Sequence, residues 1–138
     1  MLSKSGIHAV RALILLAELP EGTYAGAVSI AERIDAPKNY LGKILQQLSR
    51  DGLLVSQKGL GGGFRLARAA AQISLLDIVE PIEQINRWTG CILGGESCSD
   101  DNPCPIHNHW KDVKDAYLRL LQETTIADLA RQQKAVDE

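Results

Sequence analysis

The sequence predicts a mostly α-helical fold with a small β-hairpin, arranged as a winged helix-turn-helix followed by a long C-terminal dimerisation helix. Three features carry that expectation. Helical apolar spacing is broken by caps and prolines over roughly the first fifty residues, two short β-type runs flank a glycine-rich tip within residues 53–66, and a coiled-coil-like apolar stripe starts after Pro105. The expected division is a DNA-reading region over residues 1–70. Residues 71–138 then hold a ligand-binding loop (91–107) and the dimerisation helix.

Residues 4–19 place Ile7, Val10, Leu13, Ile14 and Ala17 at helical spacing and stop near Pro20 and Gly22, which predicts the first helix. Ser29 and Glu32 have the spacing of a capping box, predicting a short helix from Ser29 through Ile34. A turn at Asp35, Ala36 and Pro37 leads into a second helix over residues 37–51, closed by Gly52 in a left-handed cap. Its apolar stripe is Tyr40, Leu41, Ile44, Leu45 and Leu48. Its opposite stripe is Lys38, Asn39, Gly42, Lys43 and Gln46. A short helix, a tight turn and a helix with a basic, amide-rich outer face form the helix-turn-helix pattern. Lysine, asparagine and glutamine are side chains that contact phosphates and base edges in a major groove.

Residues 53–58 and 64–66 flank the run Gly59-Leu60-Gly61-Gly62-Gly63, which predicts a hairpin with Lys58 and Arg65 beside its tip. A basic hairpin directly after a helix-turn-helix has the form of a wing that touches phosphates or enters a minor groove. The glycine run lacks the GxxxxGK[ST] spacing of a nucleotide loop, and no long helix follows it.

Ser74 and Asp77 predict another capped helix start, running to about Glu83 with Pro81 expected to end or kink it. Pro105 opens the longest expected helix. Ile106, Trp110, Val113, Tyr117 and Leu120 lie along one side of it in three- and four-residue steps, with Leu121 beside them. A stripe of that length in a small chain is expected to pack against something large, most simply the same helix in a second copy, with covering of the winged helix as the alternative. Thr125 and Asp128 restart a short terminal helix, and residues 132–138 form a polar tail.

Between these helices lie all three cysteines, Cys91, Cys98 and Cys104, followed by His107. Three thiols and an imidazole, spaced mostly by Gly, Ser, Asp, Asn and Pro that build no core, are four candidate ligands for a metal or an iron–sulfur cluster. An odd cysteine count without a secretory signal argues against a disulfide framework and for reduced thiols in the cytoplasm. Apolar residues at 45% and charged residues at 23% describe a globular chain rather than a membrane-spanning or disordered one. Net charge is −2, yet residues 1–70 carry nine Lys/Arg against five Asp/Glu, whereas residues 71–138 carry six against twelve. The basic half is the one with the helix-turn-helix, which points to a polyanionic partner.

The stretches SKSGIHAVRAL, NYLGKILQQL with RDGLL, KGLGGGFRLA, the cysteine cluster, PCPIHNHW and TTIADL together resemble the bacterial winged-helix iron–sulfur regulators, the family that includes IscR, NsrR and RirA. That resemblance covers nearly the whole chain. It implies a homodimer with crossing C-terminal helices, bound to double-stranded promoter DNA with half-site centres about 34–36 Å apart. It also implies a cluster on Cys91, Cys98 and Cys104, with His107 as a fourth, non-thiolate ligand. Six residues separate Cys91 from Cys98, one more than is usual in IscR-like members. A 2Fe–2S cluster is the preferred expectation, with 4Fe–4S, the RirA-like case, left open. NsrR-like members take a ligand from the partner's first helix, which puts His8 beside a candidate position, with a helix-packing role as the other reading. His109 is expected to be a solvated neighbour. Two alternatives use the same thiols: a regulator with structural zinc or with a thiol redox switch. A metal-dependent enzyme or electron carrier, and a winged helix used for protein contacts alone, are rivals that leave either the helix-turn-helix or the basic half unexplained.

Overall fold

The computed structural model describes residues 2–83 and 105–137. Within them the chain forms helices α1 (Lys4–Glu18), α2 (Ala27–Ile34) and α3 (Lys38–Arg50), then an antiparallel pair β1 (Leu54–Gln57) and β2 (Gly63–Leu66). A 3₁₀ turn at Ala70–Gln72 leads to α4 (Leu75–Glu83). The long α5 (His107–Glu123) and α6 (Ile126–Asp137) follow. The winged-helix class expected from the sequence is the class observed.

Helix α1 is the hub, packing against α2, α3, β2, α4 and α6. Its deepest residues are Ala9, Ala12, Leu13 and Leu16, whereas Ile7, expected on the buried stripe, is exposed. The inner face thus combines small residues, Gly6, Ala9 and Ala12, with the large Leu13 and Leu16; small side chains let neighbouring helices approach closely. Leu41, Leu45 and Leu48 of α3 share one core with Ile30, Ile73, Ile78 and Ile126. Each such side chain contributes about 1.5–3 kcal/mol by leaving water.

Helix α2 starts two residues before the capping box that the sequence suggested. Its N-cap is Gly26, with no side-chain cap bond. The cause is tertiary: Ala25 exchanges backbone hydrogen bonds with Phe64 (3.0 and 2.8 Å), pinning the chain to the wing and leaving Gly26 extended. The close approach also fixes Gly63, whose φ is 134° and where a Cβ would collide with the Ala25 carbonyl. The turn into α3 uses Asp35 in the left-handed region at φ 57°, tolerable for aspartate because its short side chain bonds locally. At the other end of α3, Gly52 adopts φ 84° and Leu53 N–H donates to the Leu48 carbonyl at 3.0 Å, the cap that the sequence predicts.

The two later capping boxes also form. Ser74 and Asp77 exchange amide-to-side-chain bonds (3.0 and 3.1 Å), as do Thr125 and Asp128. The Thr125 amide, then its hydroxyl, then Arg131 hold the Asp128 carboxyl below its usual range. Backbone bonds from Leu75 to Thr124 and from Ile126 to Ile73, both 2.9 Å, lace the two helix starts together. Helix α4 continues past Pro81 to Glu83.

Candidate nucleic-acid interface and ligand residues

Helix α3 separates its two faces as its 3.6-residue period requires. Leu41, Ile44, Leu45 and Leu48 are buried, while Lys38, Asn39, Lys43 and Gln46 all face solvent. From residue 38 to 46 the helix rises about 12 Å, comparable to the width of a B-DNA major groove, about 12 Å. Lys38 is not idle in the free protein: its Nζ lies 3.2 Å from Glu32 Oε1 on α2. Both side chains are more than half exposed, so the pair contributes at most about 1 kcal/mol and a phosphate can displace it. Gln47 points the other way. Its Nε2 donates to the Pro81 carbonyl at 3.3 Å, joining α3 to α4.

Tyr40 departs from expectation. Placed on the apolar stripe by its hydrophobicity, it is 36% exposed at the edge of the outer face, beside Asn39. Its ring meets His8 of α1 edge-on, with centroids 6.1 Å apart and planes at 80°. His8 is half-buried, and its Nδ1 has no hydrogen-bond partner among the described residues.

On the wing, Lys58 follows β1 and is exposed, and Leu60 at the tip is fully exposed. Arg65 lies within β2, paired in register with Val55, and its guanidinium sits over the Tyr24 ring, 5.1 Å from the centroid. Such a contact is worth about 0.5–1 kcal/mol at an exposed position, enough to bias the rotamer without burying the charge. Arg68 continues the basic edge and is exposed. Tyr24, Arg68 and Tyr40 are residues of this surface that the sequence alone does not assign to it; hydrophobicity places Tyr40 on the apolar stripe instead. Tyr24 gives no local signal, since its role arises from the Ala25–Phe64 pairing. Tyr40 is signalled only by its position next to Asn39.

Of the four expected ligands, Cys91, Cys98 and Cys104 lie outside the described residues. His107 is described: it occupies the first turn of α5 and is 5% exposed. His109, two residues on, is exposed. Among the described residues no three His, Cys, Asp or Glu side chains converge as a metal site. Further along α5, Leu118 and Leu121 pack into the core, while Val113 and Leu120 of that helix and Ile106 at its N-cap are 60%, 54% and 37% exposed at seven-residue intervals. The expected stripe is therefore split, with Trp110 and Tyr117 at intermediate exposure between its two edges. Burial, and then the Glu83 charge, raise the Tyr117 phenol above its ordinary value. No described helix is long and apolar enough to cross a membrane.

Comparison with known proteins bears on this geometry. Residues 2–132 match the family described as Rrf2, iron-dependent transcriptional regulator. The HTH-type transcriptional regulator IscR of Cronobacter sakazakii is 28% identical over 136 residues, spanning 99% of this chain and 83% of that protein. Among solved structures, IscR of T. potens superposes with a TM-score of 0.80 at 25% identity, covering 100% of this chain and 91% of the other. CymR, the global cysteine regulator of B. subtilis, superposes with a TM-score of 0.79 at 26% identity, covering 96% and 97%.

Proposed function

Because the chain belongs to the Rrf2 family of transcriptional regulators, we propose that it binds promoter DNA as a homodimer and couples that binding to an iron–sulfur cluster held by Cys91, Cys98, Cys104 and His107. The family is one of regulators and not of enzymes, which removes the enzyme reading. In this scheme residues 1–70 read DNA and residues 71–138 hold the ligand loop and the dimer helix. The protein works in the cytoplasm, where its promoter is.

The observation that carries the DNA reading is the exposed row Lys38, Asn39, Lys43 and Gln46 on a helix whose other face is buried. Lys58 and Arg65 on the wing add cationic groups beyond the helix. Dimerisation is supported by Ile106, Val113 and Leu120, three large apolar side chains left in solvent along one line of α5. If the same helix of a second copy covers that line, the two α3 helices would be expected to meet one duplex in successive major grooves, about one helical turn apart.

The donor set fits a cluster. Three thiolates bind iron tightly, and His107 is already buried at the start of a helix three residues after Cys104. A bound cluster would supply a centre sensitive to iron supply, oxidant and nitric oxide. An imidazole in place of a fourth thiolate suits exchange better than robust electron transfer. We favour 2Fe–2S, with 4Fe–4S as the alternative raised by the six-residue spacer between Cys91 and Cys98. For the cluster to switch DNA binding, it has to stabilise one dimer arrangement over the other by a few kcal/mol, about 5 for a near-complete shift.

A second reading takes the same thiols as a redox switch or zinc site. The structural likeness to CymR, a cysteine regulator, favours keeping it, because one fold then serves more than one signal. Zinc accepts Cys₃His, although only Cys104 and His107 have the close spacing typical of structural sites. Protein isolated without oxygen separates the two: iron, sulfide and visible charge-transfer absorption support the cluster, and colourless zinc-loaded protein the alternative. Operator affinity is then compared for holo protein, apo protein and Cys98→Ala at matched salt. Equal affinities in all three remove the cluster from regulation.

A further inference from the structure

The recognition helix carries a glycine in its interior for which the described residues of the protomer show no structural use. Gly42 is the fifth of thirteen residues in α3, and it is not among the glycines with positive φ. A Cβ placed there meets nothing within 4 Å among the described residues, whereas at Gly62 and Gly63 it would strike backbone. Neither backbone conformation nor packing therefore asks for glycine. Local helix propensity argues against it, since glycine in place of alanine disfavours the helix roughly four- to fivefold.

Its position supplies the reason. On the helix surface Gly42 lies four residues from Lys38 and from Gln46, three from Asn39, and next to Lys43. The four exposed side chains thus surround a bare Cα. Gly42 itself is half-exposed, at the border between that outer row and the fully buried Leu41 and Leu45.

We propose that Gly42 is the close-approach point of α3 in the major groove. The missing side chain lets the helix backbone seat against base edges, with a thymine methyl as the natural apolar neighbour, so that the surrounding amide and ammonium groups reach their targets together. Gly42 is then a specificity-determining position through the side chain it lacks. This deepens the DNA-binding reading and rests on it.

The test uses a duplex selected from a randomised pool by the unaltered full-length dimer, and a scrambled duplex of the same length. Gly42→Ala should raise the melting temperature by about 2–8 °C, because it removes a helix defect. The same change should weaken the selected duplex about tenfold while altering the scrambled one less than twofold, and Gly42→Leu should weaken the selected duplex further. A more stable protein with weaker specific binding supports the inference, and no folding defect produces that pair of signs. Unchanged or tighter specific binding by both variants overturns it. Failure of the unaltered protein to select any duplex overturns the DNA-binding reading itself, and this inference with it.

Discussion

Ser3 and Glu83, eighty residues apart in sequence, hold the same helix end. Glu83 Oε1 accepts from the Ser3 amide at 2.7 Å and from the Ser3 hydroxyl at 2.5 Å, while that hydroxyl accepts from the Gly6 amide at 3.1 Å. The last residue of α4 thereby completes the N-cap of α1 and sets a carboxylate at its positive dipole end. Since α1 is the hub of the fold, the clasp ties that hub to the helix that leads toward the cysteines. Glu83→Ala is expected to lower stability by about 1–2 kcal/mol. Glu83→Gln, which keeps an acceptor but no charge, should cost less than half of that. Chemical denaturation of the three proteins reads the difference, and equal midpoints would show that the clasp is incidental.

The same carboxylate gives a pH signature. Tyr117 has its phenol pKa raised above 10.0, chiefly by burial and secondly by the Glu83 charge. The folded protein thus holds that proton more tightly than the unfolded chain does. The resulting stabilisation is fully present below pH 10.0, the unfolded value, and is lost as pH climbs through the folded value. In ultraviolet titration, subtracting a Tyr117→Phe variant isolates this phenol. Glu83→Gln should move its titration downward, though not back to the ordinary value, because the larger cause is untouched. A titration unmoved by the substitution would assign the whole shift to burial.

These contacts also show what could be read from the sequence. The Ser74–Asp77 and Thr125–Asp128 boxes and the Gly52 cap were legible because donor and acceptor lie within a few residues. So was the outward face of α3, set by helical period alone. The box expected at Ser29 failed because Ala25 is bonded to Phe64, nearly forty residues away, and that contact fixes where α2 begins. Tyr24 under Arg65, and Tyr40 against His8, likewise depend on segments meeting in space. The spacing of large residues misled at Ile7, because the buried face of α1 runs through Gly6, Ala9 and Ala12 as well as Leu13 and Leu16. Of the expected ligands, the three cysteines fall outside the described residues, so only the burial of His107 adds to what their spacing implies.

The Lys38–Glu32 pair makes a prediction about affinity. In the free protein Lys38 is shared with a carboxylate across the helix-turn-helix turn, and a phosphate has to compete for it. Glu32→Gln releases the lysine and removes a negative charge from the binding face. Operator affinity should rise about two- to fivefold at low salt, the range of an exposed pair of at most about 1 kcal/mol, and the gain should shrink as salt screens it. Stability should move by less than about 0.5 kcal/mol. Fluorescence anisotropy at two salt concentrations suffices to measure it. A loss of affinity at both would mean that Glu32 holds Lys38 in its productive position rather than away from DNA.

Arg65 and Tyr24 make the opposite kind of prediction, in which an intramolecular contact assists binding. The guanidinium lies 5.1 Å from the ring centroid and remains exposed, so the ring restricts the arginine without neutralising it. The pairing of Ala25 with Phe64 fixes both residues on adjoining backbone, which makes the wing arginine pre-positioned for a phosphate or a minor groove. Arg65→Ala should weaken binding to selected and scrambled duplexes alike and reduce the slope of log affinity against log salt by about one, as loss of one phosphate contact requires. Tyr24→Phe keeps the ring and should bind as the unaltered protein does. Tyr24→Leu should lose about two- to fivefold, the equivalent of about 0.5–1 kcal/mol for an exposed cation–π contact, with the salt slope unchanged because no cation has been removed. If Tyr24→Leu flattened the slope as Arg65→Ala does, the tyrosine would be needed for Arg65 to contact DNA at all. If neither substitution altered binding, the arginine would be a structural residue of the wing and not part of the interface.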